Sequence, residues 1–142
     1  MRLSLDQSWK YNREQKPPAP TIELAFGGLR LELTIDTGFG GAILIPFPLF
    51  QSLGLLSVLT PDNYHAVMPD ARRVRLYTAR AEVSLGKSKL QTDIHSSSLV
   101  DKSLIGRAFL HSFVCVFDGP KEELRLHGNQ RNLRSRKDRD SK

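Results

Sequence analysis

What happens at Asp36 constrains this chain more than any other feature. Leu29, Leu31, Leu33 and Ile35 alternate with Arg30, Glu32 and Thr34, the period of a strand with one face in a core. The strand ends in Asp36-Thr37-Gly38. After Phe39-Gly40-Gly41 the chain leaves as Ala42-Ile43-Leu44-Ile45, apolar throughout and closed by Pro46. A single carboxylate is therefore delivered to a tight, glycine-permitted turn, between a half-buried strand and one covered on both faces. By parity Asp36 falls on the polar side of its strand.

Most of the remaining chain reads as hairpins. Residues 21–26 pair with 29–35 across Gly27-Gly28, a pair that allows the positive φ angles of a two-residue hairpin turn. Residues 65–68 and 73–77 flank Pro69-Asp70-Ala71-Arg72, with Pro-Asp at the centre of a type I turn. Residues 79–85 and 89–95 turn at Gly86-Lys87-Ser88, and 114–117 and 122–126 turn at Asp118-Gly119. Helical turns are expected over 49–55, ending near Gly54, and around Ala108, Phe109 and Leu110; residues 56–63 read as a loop. The pattern predicts an all-β fold with one or two short helices.

The 142 residues suffice for one domain. Residues 1–20 form an N-terminal arm that ends in an extended connector with Pro17, Pro18 and Pro20, and Trp9 and Tyr11 are available to pack on the body. Residues 21–127 are the folded body. Residues 128–142 form a basic tail without aromatic residues: Arg131, Arg134, Arg136, Lys137, Arg139 and Lys142 face only Asp138 and Asp140. Most of the net charge of +6 belongs to this tail, so contact with nucleic acid is expected only weakly and only through it.

No apolar run is long enough to span a bilayer, and the N-terminal residues lack the apolar region of a signal peptide. The expectation is a cytoplasmic protein without membrane association. Cys115, the single cysteine, sits in an apolar strand and reads as a small buried hydrophobe. His65, His95, His111 and His127 are scattered without metal-ligand spacing, so no metal is expected. Phe39-Gly40-Gly41 leads into a strand, whereas a phosphate-cradling loop opens a helix.

Ile35-Asp36-Thr37-Gly38, followed far downstream by Leu104-Ile105-Gly106, resembles the retroviral-type (clan AA, retropepsin-like) aspartic proteases in a bacterial-like, single-domain form. The resemblance covers about residues 21–127. It implies a one-lobed closed β-barrel or sandwich. It implies catalysis by Asp36, with Thr37 and Gly38 shaping its turn. Phe39, Gly40 and the hairpin tip Met68, Pro69, Asp70, Ala71 and Arg72 would contact substrate, the tip acting as a flap. Leu104, Ile105 and Gly106 would brace the turn. No cofactor and no metal are implied.

Peptide hydrolysis of this kind needs two carboxyls sharing a proton, and this chain supplies one. The resemblance therefore implies a homodimer in which Asp36 of each subunit meets at the two-fold axis, acting on a peptide or protein substrate. In the family the termini often build the dimer sheet, and whether residues 1–20 or 122–126 do so here is open. Two departures stand out. The family's arginine after the second glycine pairs with an acid just past Asp-Thr-Gly. Arg107 is present, but Gly40 and Gly41 occupy those places, so Arg107 is expected to be exposed or to find another acid. The flap tip also lacks glycine. These departures motivate an alternative reading, a non-catalytic dimerisation or binding module that keeps the protease fold and docks through its basic tail.

Overall fold

The computed structural model describes residues 5–61, 64–67 and 70–128. Among them the chain forms ten strands and two short helices in two sheets. The strands are β1 (Leu5–Lys10), β2 (Thr21–Phe26), β3 (Leu29–Ile35), β4 (Ile43–Leu44), β5 (Tyr64–Val67), β6 (Arg73–Leu85), β7 (Ser88–Ser96), β8 (Leu104–Ile105), β9 (Phe113–Asp118) and β10 (Glu123–Gly128). The helices are α1 (Phe47–Ser52) and α2 (Arg107–Leu110).

The larger sheet runs β2-β3-β8-β4-β7-β6-β5, and β6 closes back on β2 through Ala25 and Ser84. Six strands thus form a closed barrel, which leaves no unpaired barrel edge. β5 continues outward as the second arm of a hairpin with β6. The smaller sheet is β1-β10-β9, antiparallel throughout, with Trp9 opposite Leu124. Both sheets bury side chains into one core. Ile22, Leu24, Leu33, Ile43, Ile45, Phe50, Leu85, Ile94, Ile105, Leu124 and Leu126 are all fully buried, and Trp9 and Tyr11 pack against them.

The alternation on β3 holds where it matters for the site: Leu33 and Ile35 are buried, whereas Leu29, beside the turn, is exposed. Of the apolar run expected to be covered on both faces, only Ile43–Leu44 forms β4; Ile43 and the following Ile45 are completely buried, whereas Leu44 on the opposite face is half-buried.

Four local differences have physical causes. β6 is one strand of 13 residues rather than two. Its lower half pairs with β5 and its upper half with β7, and Thr78 and Ala79 are both buried where the two pairings meet. Helix α1 begins at Phe47 because Pro48 suits a first turn, whose N–H groups have no intrahelical partner. It ends at Ser52 and is capped by Leu53, before Gly54 at φ +74°. The segment expected as a loop opens with a 3-10 turn over Leu55–Val58 that buries Leu55. The proline-rich segment folds back on itself, Asn12 and Ala19 exchanging both backbone hydrogen bonds at 2.8 and 3.1 Å.

Candidate active site

β3 ends at Ile35, which pairs in parallel with Ile105 of β8. The next N–H, that of Asp36, still donates to the Ile105 carbonyl at 2.8 Å, so the carboxylate is held where the ladder stops. The chain then turns sharply. The Gly38 N–H donates to Asp36 Oδ1 at 2.9 Å and the Phe39 N–H to the Asp36 carbonyl at 3.1 Å. Asp36 is half-buried and Thr37, Gly38 and Gly40 are exposed. One carboxylate oxygen is thus engaged by its own turn, and the group still reaches solvent. The resemblance implies that Thr37 helps to shape this turn, which its hydroxyl or its backbone could do. Within the described residues of this one chain the Thr37 hydroxyl makes no hydrogen bond, and the turn is closed by the contacts of Asp36.

β8 lies between β3 and β4, pairing in parallel with one and antiparallel with the other. Past its end the backbone keeps bonding into the turn. The Gly106 N–H donates to the Ala42 carbonyl at 2.8 Å, Arg107 N–H to Phe39 carbonyl at 2.9 Å, and Ala108 N–H to Gly41 carbonyl at 3.2 Å. Leu104, Ile105 and Gly106 therefore brace the Asp36 turn from beneath. The brace is close enough that position 106 must be glycine: a Cβ there would lie 2.5 Å from the Phe39 carbonyl oxygen and collide with that of Gly41. Gly41 is similarly confined, its absent Cβ facing Phe39 Cζ at 2.5 Å and His95 Nε2 at 3.0 Å.

Phe39, which the resemblance places among substrate contacts, turns its ring inward. It is 8% exposed and meets the His95 imidazole edge-on, with centroids 6.0 Å apart. His95 was not singled out by sequence. It is 3% exposed, and its Nδ1 shares a 2.7 Å hydrogen bond with the buried Thr78 hydroxyl. Burial pushes the imidazole down to about 4 from the usual 6.5, and nearby Asp93 opposes this only in part. A neutral imidazole thus forms the wall behind the Asp36 loop. By parity His95 lies on the polar side of β7; only the run of buried positions from Ile94 to Ser97 shows that this end is covered on both faces. Ser96 belongs to the same wall, its hydroxyl donating to the Ile45 carbonyl at 2.6 Å.

The β5–β6 hairpin projects from the barrel. Met68 and Pro69 of its tip lie outside the described residues. Asp70 accepts from the Arg72 N–H at 3.1 Å and pairs with the Arg72 guanidinium, and Ala71 takes φ +68° between them. Arg73 and Arg75 are exposed on the same strand. Between β6 and the loop after β7 lies a groove of about 400 Å³ lined by Val74, Arg75, Tyr77, Ser97, Ser98 and Leu99. Arg107 is exposed, as the glycines at 40 and 41 require. Among the described residues no group of three His, Cys, Asp or Glu is placed to hold a metal ion. Among them, too, no helix is long and apolar enough to cross a membrane.

No family model matches the chain, and no curated protein matches it in sequence. Solved structures do match. A retropepsin-like aspartic protease from Rickettsia conorii superposes with a TM-score of 0.61 at 20% identity, over 88% of this chain and 92% of that one. The EIAV protease in complex with an inhibitor gives 0.51 at 15% identity, over 72% and 92%. The retroviral protease-like domain of Ddi1 from Leishmania major gives 0.51 at 11% identity, over 80% and 96%. At these identities the likeness concerns the backbone: a six-stranded closed barrel, the braced Asp-Thr-Gly turn and the projecting hairpin together make this a retropepsin-like fold.

Proposed function

We propose that the chain is an aspartic endopeptidase active as a homodimer, with Asp36 of each subunit forming one catalytic pair. The observation that carries this reading is the Asp36 carboxyl itself. Its residue is tied to the end of a strand by the Asp36 N–H to the Ile105 carbonyl, one carboxylate oxygen accepts from the Gly38 N–H, and the group is braced from below by Leu104–Gly106 and left partly open to solvent. The three structural neighbours, whose names describe proteases or a protease-like domain, support it.

The chemistry follows from charge. Two carboxyls a few ångström apart cannot both ionise, so one holds the proton they share. The ionised member takes a proton from a water between them as that water attacks the scissile carbonyl, and the protonated member polarises the carbonyl oxygen. Gly38 leaves the floor of the turn without a side chain, and its N–H fixes the orientation of the Asp36 carboxylate. The β5–β6 hairpin closes over the substrate, with Arg72, Arg73 and Arg75 favouring acidic groups near the scissile bond.

Asp36→Asn keeps an oxygen for the Gly38 N–H while removing the charge, so it tests chemistry apart from folding. A hydroxyl-bearing peptide isostere of the tetrahedral intermediate should raise the melting temperature of wild type and leave that of Asp36→Asn unchanged. An equal shift in both proteins would count against the reading. The alternative, a non-catalytic module on the same fold, draws on the hairpin tip. There the Asp70–Arg72 pair pins the turn and alanine, not glycine, takes the left-handed conformation.

A further inference from the structure

β9 is an unprotected edge. Among the described residues it pairs with β10 and with no other strand. Natural sheets blunt such edges with charge, proline or a bulge, because a bare row of N–H and C=O groups invites another strand. From Phe113 to Phe117 this edge carries none of these; it reads Phe-Val-Cys-Val-Phe. The core beneath it is also unfinished. Leu124 and Leu126 of β10 are completely buried, yet Phe117 and Cys115, which sit opposite them on the same face, are partly exposed, Phe117 to 44%. On the other face Val114 is 61% exposed.

The sequence of this edge is a palindrome centred on Cys115. A two-fold axis perpendicular to the sheet at that residue would pair β9 with β9 of a second copy in antiparallel register. It would set Phe113 against Phe117, Val114 against Val116, and Cys115 against its own copy. Residues opposite one another then lie on the same face, as antiparallel pairing demands. The edge is also tied to the candidate site. Only His111 and Ser112 separate it from α2, whose first N–H donates into the Asp36 loop at 2.9 Å.

We infer that β9 is the dimer seam. Two copies join edge to edge around Cys115, and the two three-stranded sheets become one six-stranded sheet. The inference rests on the shared-aspartate reading for its choice of occupant, a second copy of this chain. It assigns the seam neither to residues 122–126, which lie in β10, the central strand with both edges already paired, nor to the N-terminal arm, since β1, the other edge of this sheet, carries the charges of Asp6 and Lys10 that blunt an edge.

The test uses the full chain at concentrations where light scattering finds a dimer. Directly opposed residues in antiparallel strands have Cα atoms about 4.5–5.5 Å apart, within disulfide reach. Diamide should therefore convert most of the wild-type dimer to a covalent one, taking up the two electrons and two protons that the thiols release. In Cys115→Ser/Val116→Cys the thiols become diagonal neighbours at about 7–8 Å, and cross-linking should fall at least tenfold. Val116→Lys places a charge on the seam and should raise the concentration at which half the chain is dimeric by about tenfold or more. A dimer that does not cross-link through Cys115 and survives Val116→Lys overturns the seam; if that dimer still cleaves peptide, the shared-aspartate reading stands. A chain that stays monomeric at every concentration overturns both. A dimer cross-linked through Cys115 that cleaves nothing keeps the seam and overturns the protease reading.

Discussion

At the residue scale two side chains define the site, one visible in sequence and one hidden. Asp36 was legible because its neighbours on both sides announce strands and Thr-Gly announces the turn. His95 was hidden because β7 alternates regularly until its end, where β4, the Asp36 loop and β6 cover it together. Its burial makes a pH prediction. The folded protein holds His95 near 4 and the unfolded chain near 6.5, so the unfolded state takes up the proton first as pH falls. The contribution is intact above about pH 6.5, erodes below it, and is fully lost below about pH 4. Its size is roughly 3 kcal/mol for a shift of this magnitude. His95→Gln keeps a polar partner for Thr78 and should flatten the stability profile across that window, measured by denaturant unfolding at a series of pH values. An unchanged slope would show that His95 is not the titrating group. Gly106 offers a second prediction. The atoms facing its absent Cβ are the backbone oxygens of Phe39 and Gly41, which cannot swing aside. Gly106→Ala should destabilise the fold by about 1–3 kcal/mol and distort the Asp36 turn. A Tm equal to wild type would contradict this contact.

At the element scale, the hairpins were legible from turn chemistry, and their lengths were not. Gly27-Gly28 sets the β2–β3 turn, and Gly86, at φ +59°, begins the β6–β7 turn as the sequence suggests. Thr78 gave no sign that β6 continues through it, because the continuity comes from pairing on both sides, β5 below and β7 above. Likewise, no local pattern in residues 5–10 marks a strand; β1 exists because β10 offers it a partner. The hairpin tip carries this scale's prediction. Ala71 sits at φ +68°, where an L side chain costs about 1–2 kcal/mol relative to glycine. Ala71→Gly should relieve that cost and loosen the tip. If the hairpin closes over substrate, the change should appear in peptide KM, with the stability of the barrel almost untouched. No change in KM would separate the hairpin from substrate binding.

At the scale of the whole molecule, closure of six strands explains why so small a chain presents a rigid site. The Asp36 turn hangs from the middle of the barrel wall, where β3, β8 and β4 meet, and not from a free loop. This arrangement was legible only through the family resemblance that Asp36-Thr37-Gly38 and Leu104-Ile105-Gly106 carry together, which implies a strand returning beside the turn. On the proposed shared-aspartate reading the second carboxylate comes from another copy of the chain. Specific activity should therefore rise with protein concentration through the dimerisation range and level off above it, as mass action dictates.

The most direct measurement of the central claim mixes subunits. Wild type and Asp36→Asn are unfolded together in equal amounts, refolded, and assayed on an unfolded protein substrate in mild acid. If each site needs both aspartates, only wild-type pairs are active. The mixture should then show about a quarter of the activity of the same total amount of wild type, with Asp36→Asn alone inactive. Retention of about half would mean that each subunit acts by itself, and would contradict the shared site.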